Sequence, residues 1–133
     1  MLKSLDELKK NNECIKGSFI YSLHEKDYFD ENLYWIFYNS IFELSNYFRD
    51  KEHDPEITGM IFHTYNYFIK SLIWNYSPHD SCQVKNLPHD KLHLYVERLS
   101  VRVECSYFGR QSVDEEGFNE ELLNPFYKGH EGV

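Results

Sequence analysis

The chain has 133 residues, of which 14 are Lys or Arg and 22 are Asp or Glu, so its formal net charge is −8. This sign excludes the general electrostatic attraction to phosphate backbones on which most nucleic-acid-binding proteins depend. Aromatic residues make up 17% of the sequence and hydrophobic residues 41%, which excludes a disordered acidic tail. The length fits a single domain, 1–133, with enough buried surface to fold without a metal or a disulfide.

Cysteine usage and the N-terminal sequence predict a cytoplasmic protein. Cys14, Cys82 and Cys105 form no CxxC pair, a pattern that favours reduced thiols. The first residues contain no apolar stretch of signal-peptide length. The densest apolar run, residues 33–38, is far shorter than the roughly 20 residues that span a bilayer. We therefore expect no membrane association.

The first half of the chain predicts one short and one long helix. A capping box formed by Ser4 and Glu7 predicts a helix over residues 4–10. Residues 13–26 fit either an extended segment or a connector. Apolar residues spaced three and four apart then predict a long, strongly aromatic helix that begins at residue 27 or 30 and ends near residue 49.

A second long helix follows after a short polar turn. Asp54, Pro55 and Glu56 supply an N-cap, a first-turn proline and an acidic residue, and they predict a helix from residue 55 to about residue 76. The short turn predicts that the two long helices pack directly as an antiparallel hairpin.

Residues 89–105 fit two structures. Apolar residues at 92, 96, 99 and 103 follow helical spacing, whereas alternation over residues 92–105 also fits a strand and would give an α+β fold. Pro88 and Asp90 at the start favour the helix. The predicted fold is therefore mainly α, an antiparallel bundle of about three long helices with short terminal helices. Residues 109–133 are predicted to form a partly irregular acidic tail.

Three histidines suggest a metal site but do not form a recognised motif. His79, His89 and His93 lie close in sequence, and the last two have the i, i+4 spacing of many metal ligands. Residues 89–93 read HDKLH rather than H-E-x-x-H, so turn and cap chemistry explains the cluster better. We predict no metal ligand, cofactor or catalytic residue.

Acidic residues gather at the start of the first long helix and in the tail. Such groups accelerate association with a basic partner, and aromatic residues beside them suit the centre of a protein interface. The predicted partner-binding residues are Asp114, Glu115, Glu116, Glu120, Glu121, Asp27, Asp30, Glu31, Tyr107 and Phe118.

The segment FDENLYW, residues 29–35, opens the long aromatic helix, and Trp74 lies in the second. With the acidic, compact whole, residues 25–110 resemble a bacterial immunity protein, the antitoxin of a polymorphic or contact-dependent growth-inhibition toxin. The resemblance implies a non-enzymatic protein that binds the C-terminal domain of one cognate toxin, often a basic nuclease that cleaves tRNA or other RNA or DNA. It implies no direct contact with nucleic acid, and it transfers no individual contact residue.

Two other functions fit the sequence. The first is a small metal-dependent enzyme that uses His79, His89 and His93. The second is an oligomeric adaptor in which the aromatic first long helix forms the interface.

Overall fold

The computed structural model describes residues 2–48, 51, 54–78, 83–108, 115–118 and 121–126. This part is mainly helical and contains no strand, although Tyr28 and Lys85 form an isolated bridge. The elements are α1 (Leu2–Asn12), α2 (Phe19–Glu25), α3 (Glu31–Tyr47), α4 (Pro55–Tyr76), α5 (Leu92–Phe108) and a 3₁₀ turn (Glu115–Gly117). The mainly α prediction is confirmed, and the α+β alternative is wrong. None of the described helices is both long and apolar enough to cross a bilayer.

Aspartate caps fix the starts of α3 and α4. Asp30 Oδ1 accepts a hydrogen bond from the backbone N–H of Leu33 at 3.0 Å, so α3 begins after residue 30 rather than at 27. Asp54 Oδ1 accepts from the N–H of Glu56 at 2.9 Å. Pro55 occupies the first turn, where its missing N–H has no cost. The predicted bounds of α4 are confirmed.

The helix α2 was not predicted. Ser18 Oγ caps it by accepting a hydrogen bond from the N–H of Tyr21 at 3.2 Å. Gly17 precedes the cap with φ of +95°, a conformation that favours glycine. The helix buries Phe19 and Leu23. Both predicted alternatives for this segment, extended or connector, are therefore wrong for residues 19–25.

The helix α5 faces the interior with a partly charged stripe. Its buried residues are Tyr95, Arg98, Leu99, Arg102 and Cys105. Their spacing of three or four is helical, but two of the five are arginines. Because these two inward-facing residues are charged, the apolar residues alone show only part of the helical spacing. Residues 92–105 therefore also fitted a strand.

The long helices α3 and α4 lie diagonally across the bundle. Both α1 and α5 pack against α3 and also against α4, and α2 contacts α1, α3 and α4. The predicted contact between α3 and α4 is made by side chains, with the ring centroids of Tyr34 and Phe68 6.2 Å apart, whereas the backbones of both helices approach the flanking helices more closely. Each of these helices is apolar on more than one side, so each buries two faces against flanking helices.

Aromatic rings fill the centre where α2, α3, α4 and α5 meet. The ring centroids of Phe19 and Phe68 lie 5.4 Å apart, those of Phe29 and Tyr95 5.4 Å, and those of Tyr34 and Tyr95 4.9 Å. Tyr34 also donates a hydrogen bond to the carbonyl of Tyr95 at 2.6 Å. Edge-to-face aromatic pairs each add about 0.5–1.5 kcal/mol beyond the burial of their area. These contacts tie together helices that are distant in sequence.

Two phenylalanines of α4 test this assignment of core and surface. Phe68 is fully buried, whereas Phe62 is 57% exposed. We expect Phe68→Ala to lower the free energy of unfolding by about 3–5 kcal/mol because it leaves a cavity. Phe62→Ala should change it by less than about 0.5 kcal/mol. Urea denaturation followed by circular dichroism measures both, and equal losses would contradict the arrangement.

Candidate functional site

A carboxylate from the C-terminal segment lies buried between two arginines of α5. Glu115 is 3% exposed. Its Oε1 accepts a hydrogen bond from Arg98 Nη2 at 2.7 Å, and its Oε2 accepts from Arg102 Nη2 at 2.5 Å. The Tyr38 hydroxyl on α3 also donates to Oε2. Buried charges are tolerated when they are paired and hydrogen-bonded in this way.

The same cluster holds the chain around residues 122–124. Asn124 Nδ2 donates to Glu115 Oε1 at 2.7 Å and to Asn39 Oδ1 at 2.8 Å, and Arg98 Nη1 donates to the carbonyl of Leu122. This part of the predicted acidic tail is therefore an integral layer packed on α3 and α5.

Aromatic rings surround the two guanidinium groups. The guanidinium carbon of Arg102 lies 4.2 Å from the Phe42 ring centroid, and that of Arg98 lies 4.9 Å from Trp35 and 5.4 Å from Phe118. A cation over an aromatic face is stabilised by the ring quadrupole, more strongly where water is excluded.

Ionisation in this cluster follows from its hydrogen bonds. Burial raises the pKa of Glu115, but hydrogen bonds from Tyr38 and Asn124 and the charges of Arg102 and Arg98 outweigh it, so the pKa is lowered from 4.5. Burial, more than the nearby Glu115 charge, raises the pKa of Tyr38 to about 12. The cluster thus holds a carboxylate and a neutral phenol at neutral pH. Its carboxylate oxygens are engaged within the chain, which indicates a structural role.

The predicted acidic surface is divided by the structure. Glu115 is buried and is withdrawn from the partner-binding set, because its carboxylate is bonded to Arg98 and Arg102. Glu116 and Glu121 are exposed. Asp114 and Glu120 lie outside the described residues.

The predicted acidic residues near the start of α3 differ in their structural roles. Asp30 is the helix cap, whereas Glu31 and Asp27 are exposed. Asp27 has φ of 48°, and its carbonyl accepts a hydrogen bond from the N–H of Lys85 at 2.7 Å. Of the two predicted aromatic residues, Phe118 packs on Arg98, and Tyr107 is 56% exposed at the end of α5.

The histidines are not assembled into a metal site among the described residues. His89 Nδ1 lies 2.8 Å from the Tyr76 hydroxyl, and His93 is exposed. His79 lies outside the described residues.

An exposed apolar groove lies between α4 and α5. We define the α4–α5 groove by the cavity of about 380 Å³ lined by Phe62 and Tyr65 on α4 and by Val103, Tyr107 and Phe108 on α5. Phe62, Tyr107 and Phe108 are all more than half exposed. A second cavity of about 140 Å³ shares the two aromatic residues of α5 and reaches Asp54. Clustered exposed aromatic side chains are typical of protein interaction sites.

The residues of this groove were largely missed by sequence reasoning, which included Tyr107 alone. The sequence does contain a signal for an exposed apolar face. Phe62, Ile73 and Tyr76 lie on one side of α4, and the buried Phe68 lies on another.

These features define a mainly helical protein with a buried ion cluster inside and an apolar groove outside. No protein-family model, curated protein or solved structure matches the chain.

Neutralising Glu115 should destabilise the fold strongly. Glu115→Gln leaves two buried cations without a carboxylate, and we expect the free energy of unfolding to fall by about 3–5 kcal/mol at pH 7. Glu121→Gln, an exposed acid of the same segment, should cost less than about 0.5 kcal/mol.

The pH dependence gives an independent readout of the same cluster. Because the folded-state pKa of Glu115 is lowered, its contribution is present above the ordinary value of 4.5 and is lost as the pH falls through the folded value. The difference in urea midpoint between the wild type and Glu115→Gln should therefore shrink below about pH 4.5. A difference that stays constant down to pH 3 would contradict the assignment.

Proposed function

We propose that the chain is an immunity protein of a bacterial polymorphic or contact-dependent growth-inhibition toxin system. It acts in the cytoplasm without catalysis by binding the C-terminal domain of one cognate toxin, a basic nuclease. The observation that carries the proposal is the exposed aromatic α4–α5 groove on a chain of net charge −8. Interfaces favour aromatic residues at their centre.

Charge supports the choice of a basic partner. Nuclease domains carry positive surfaces because they bind phosphate backbones. An acidic inhibitor complements such a surface and is guided to it during diffusion, which raises the association rate. Glu116, Glu121, Asp27 and Glu31 are exposed acids that contribute to this field.

The polar interior supports a binding role over a catalytic one. The most strongly bonded group of titratable side chains is Glu115 with its arginines, which is buried and bonded internally. The metal-dependent alternative draws no support from the described histidines, since His89 contacts Tyr76 and His93 is exposed.

Coexpression tests the proposal directly. The toxic C-terminal domain encoded beside this gene should arrest growth of a bacterial host, and coexpression of this chain should restore growth. A catalytically inactive form of that domain should bind the purified chain one to one, as measured by light scattering after size exclusion. An unrelated toxin of the same net charge is the matched control and should not be neutralised.

The association rate should depend strongly on salt. We expect it to fall by about tenfold or more between 50 and 500 mM NaCl, because screening removes electrostatic steering. Stopped-flow fluorescence measures this rate. Absence of a toxin gene beside this one, or failure of the wild type both to bind and to protect, would contradict the proposed function.

A further inference from the structure

The outer side of α4 carries an apolar stripe along most of its length. Phe62, Ile69, Ile73 and Tyr76 follow one another at spacings of seven, four and three. Ile73 is 63% exposed and Tyr76 56% exposed, comparable with Phe62. At about 1.5 Å per residue, the stripe extends over about 21 Å, or four helical turns. Exposure of this kind along a regular stripe predicts that another element covers it.

The helix α5 forms the other wall. Ser100, Val103 and Tyr107 follow helical spacing and line the groove, and the first two are partly buried. Val96 precedes Ser100 by about one turn and continues this spacing toward the start of α5. Phe62 meets the C-terminal end of α5, and Tyr76 meets His89 just before its start, so the two helices run antiparallel. Two antiparallel helices that pack side by side leave a trough along their outer surface into which a third helix fits.

The two edges of the trough differ in charge. Glu97 and Glu104, two turns apart, are exposed on the α5 edge. His63 and Lys70, also two turns apart, are exposed on the far edge of α4. A helix in the trough therefore meets carboxylates on one side only, which favours Lys or Arg on that side.

We infer that the α4–α5 groove binds one amphipathic helix of the toxin domain, about four turns long, with its basic residues along the α5 edge. This inference rests on the proposed function and names the partner element that the groove accepts. Apolar residues at i, i+3 or i+4, i+7 and i+11 of that helix lie on the stripe of α4. A second copy of this chain is a poorer occupant, because two molecules of charge −8 repel each other.

Truncation of the stripe tests the apolar contact. The double variant Phe62→Ser/Ile73→Ser should bind the inactive toxin domain about 30-fold or more weakly, mainly through faster dissociation, as interface hot spots do. Leu123→Ser is the control, because Leu123 is 64% exposed, like Ile73, but lies in the C-terminal segment. It should bind within twofold of the wild type. Thermal unfolding of each variant verifies that the fold is retained.

Charge reversal separates the groove from the tail. Glu97→Lys/Glu104→Lys and Glu116→Lys/Glu121→Lys change the net charge by the same amount, so long-range steering changes equally. Both should slow association, but only the groove variant should also speed dissociation, because only its residues contact the partner. Faster dissociation of the tail variant alone would overturn the inference.

The remaining outcomes are equally decisive. Hydrogen exchange on the bound toxin domain should protect a single helical segment of about four turns, and protection confined to strands or loops would overturn the inference. If the Phe62→Ser/Ile73→Ser variant binds the toxin domain as tightly as the wild type does, the inference is overturned and the proposed function remains. If the wild type itself does not bind, both are overturned. A wild-type dimer in sedimentation velocity that the double variant abolishes would assign the groove to a second copy.

Discussion

The bonding of Glu115 to Arg98 and Arg102 is the interaction on which the rest of the molecule depends. Taking two guanidinium groups out of water is costly, and a single carboxylate with further hydrogen bonds offsets that cost. The pairing fixes which side of α5 faces inward and brings the segment around Asn124 onto α3. Since α5 is one wall of the α4–α5 groove, the buried cluster also positions the exposed site.

The aromatic residues are divided between two tasks on the same helix. Phe68 is buried in the ring cluster with Phe19 and Phe29, whereas Phe62 and Ile73 extend into solvent. The buried rings give a rigid body, and the exposed side chains lose little further conformational freedom when they bind, because α4 already holds their backbone. A rigid platform of this kind suits the tight one-to-one binding that the proposed function requires.

Local chemistry predicted the long helices well and the buried polar contacts poorly. Asp54 and Pro55 marked α4, and Asp30 marked α3, because caps act within one turn. The inward orientation of Arg98 and Arg102 was not predicted from the sequence. Their partner is more than a dozen residues further along the chain, and no periodic pattern reports such a contact. Glu115 was predicted to be a surface residue because its neighbours in the sequence are also acidic and its arginine partners are distant along the chain.

The burial of this cluster also changes the meaning of the net charge. Among the residues that the structure describes, the buried charged side chains are Arg98, Arg102 and Glu115, which carry a net charge of +1. The rest of the chain is therefore more acidic than the total of −8 indicates. Buried charges are fixed by pairing, whereas exposed acids such as Glu97 and Glu104 retain their field toward solvent. The inner side of α5 is therefore held by paired arginines, and its outer side carries unburied glutamates and is negative. One helix thus secures the fold through its arginines and exposes glutamates on its outer side, and these glutamates complement the basic helix that we propose as the partner element.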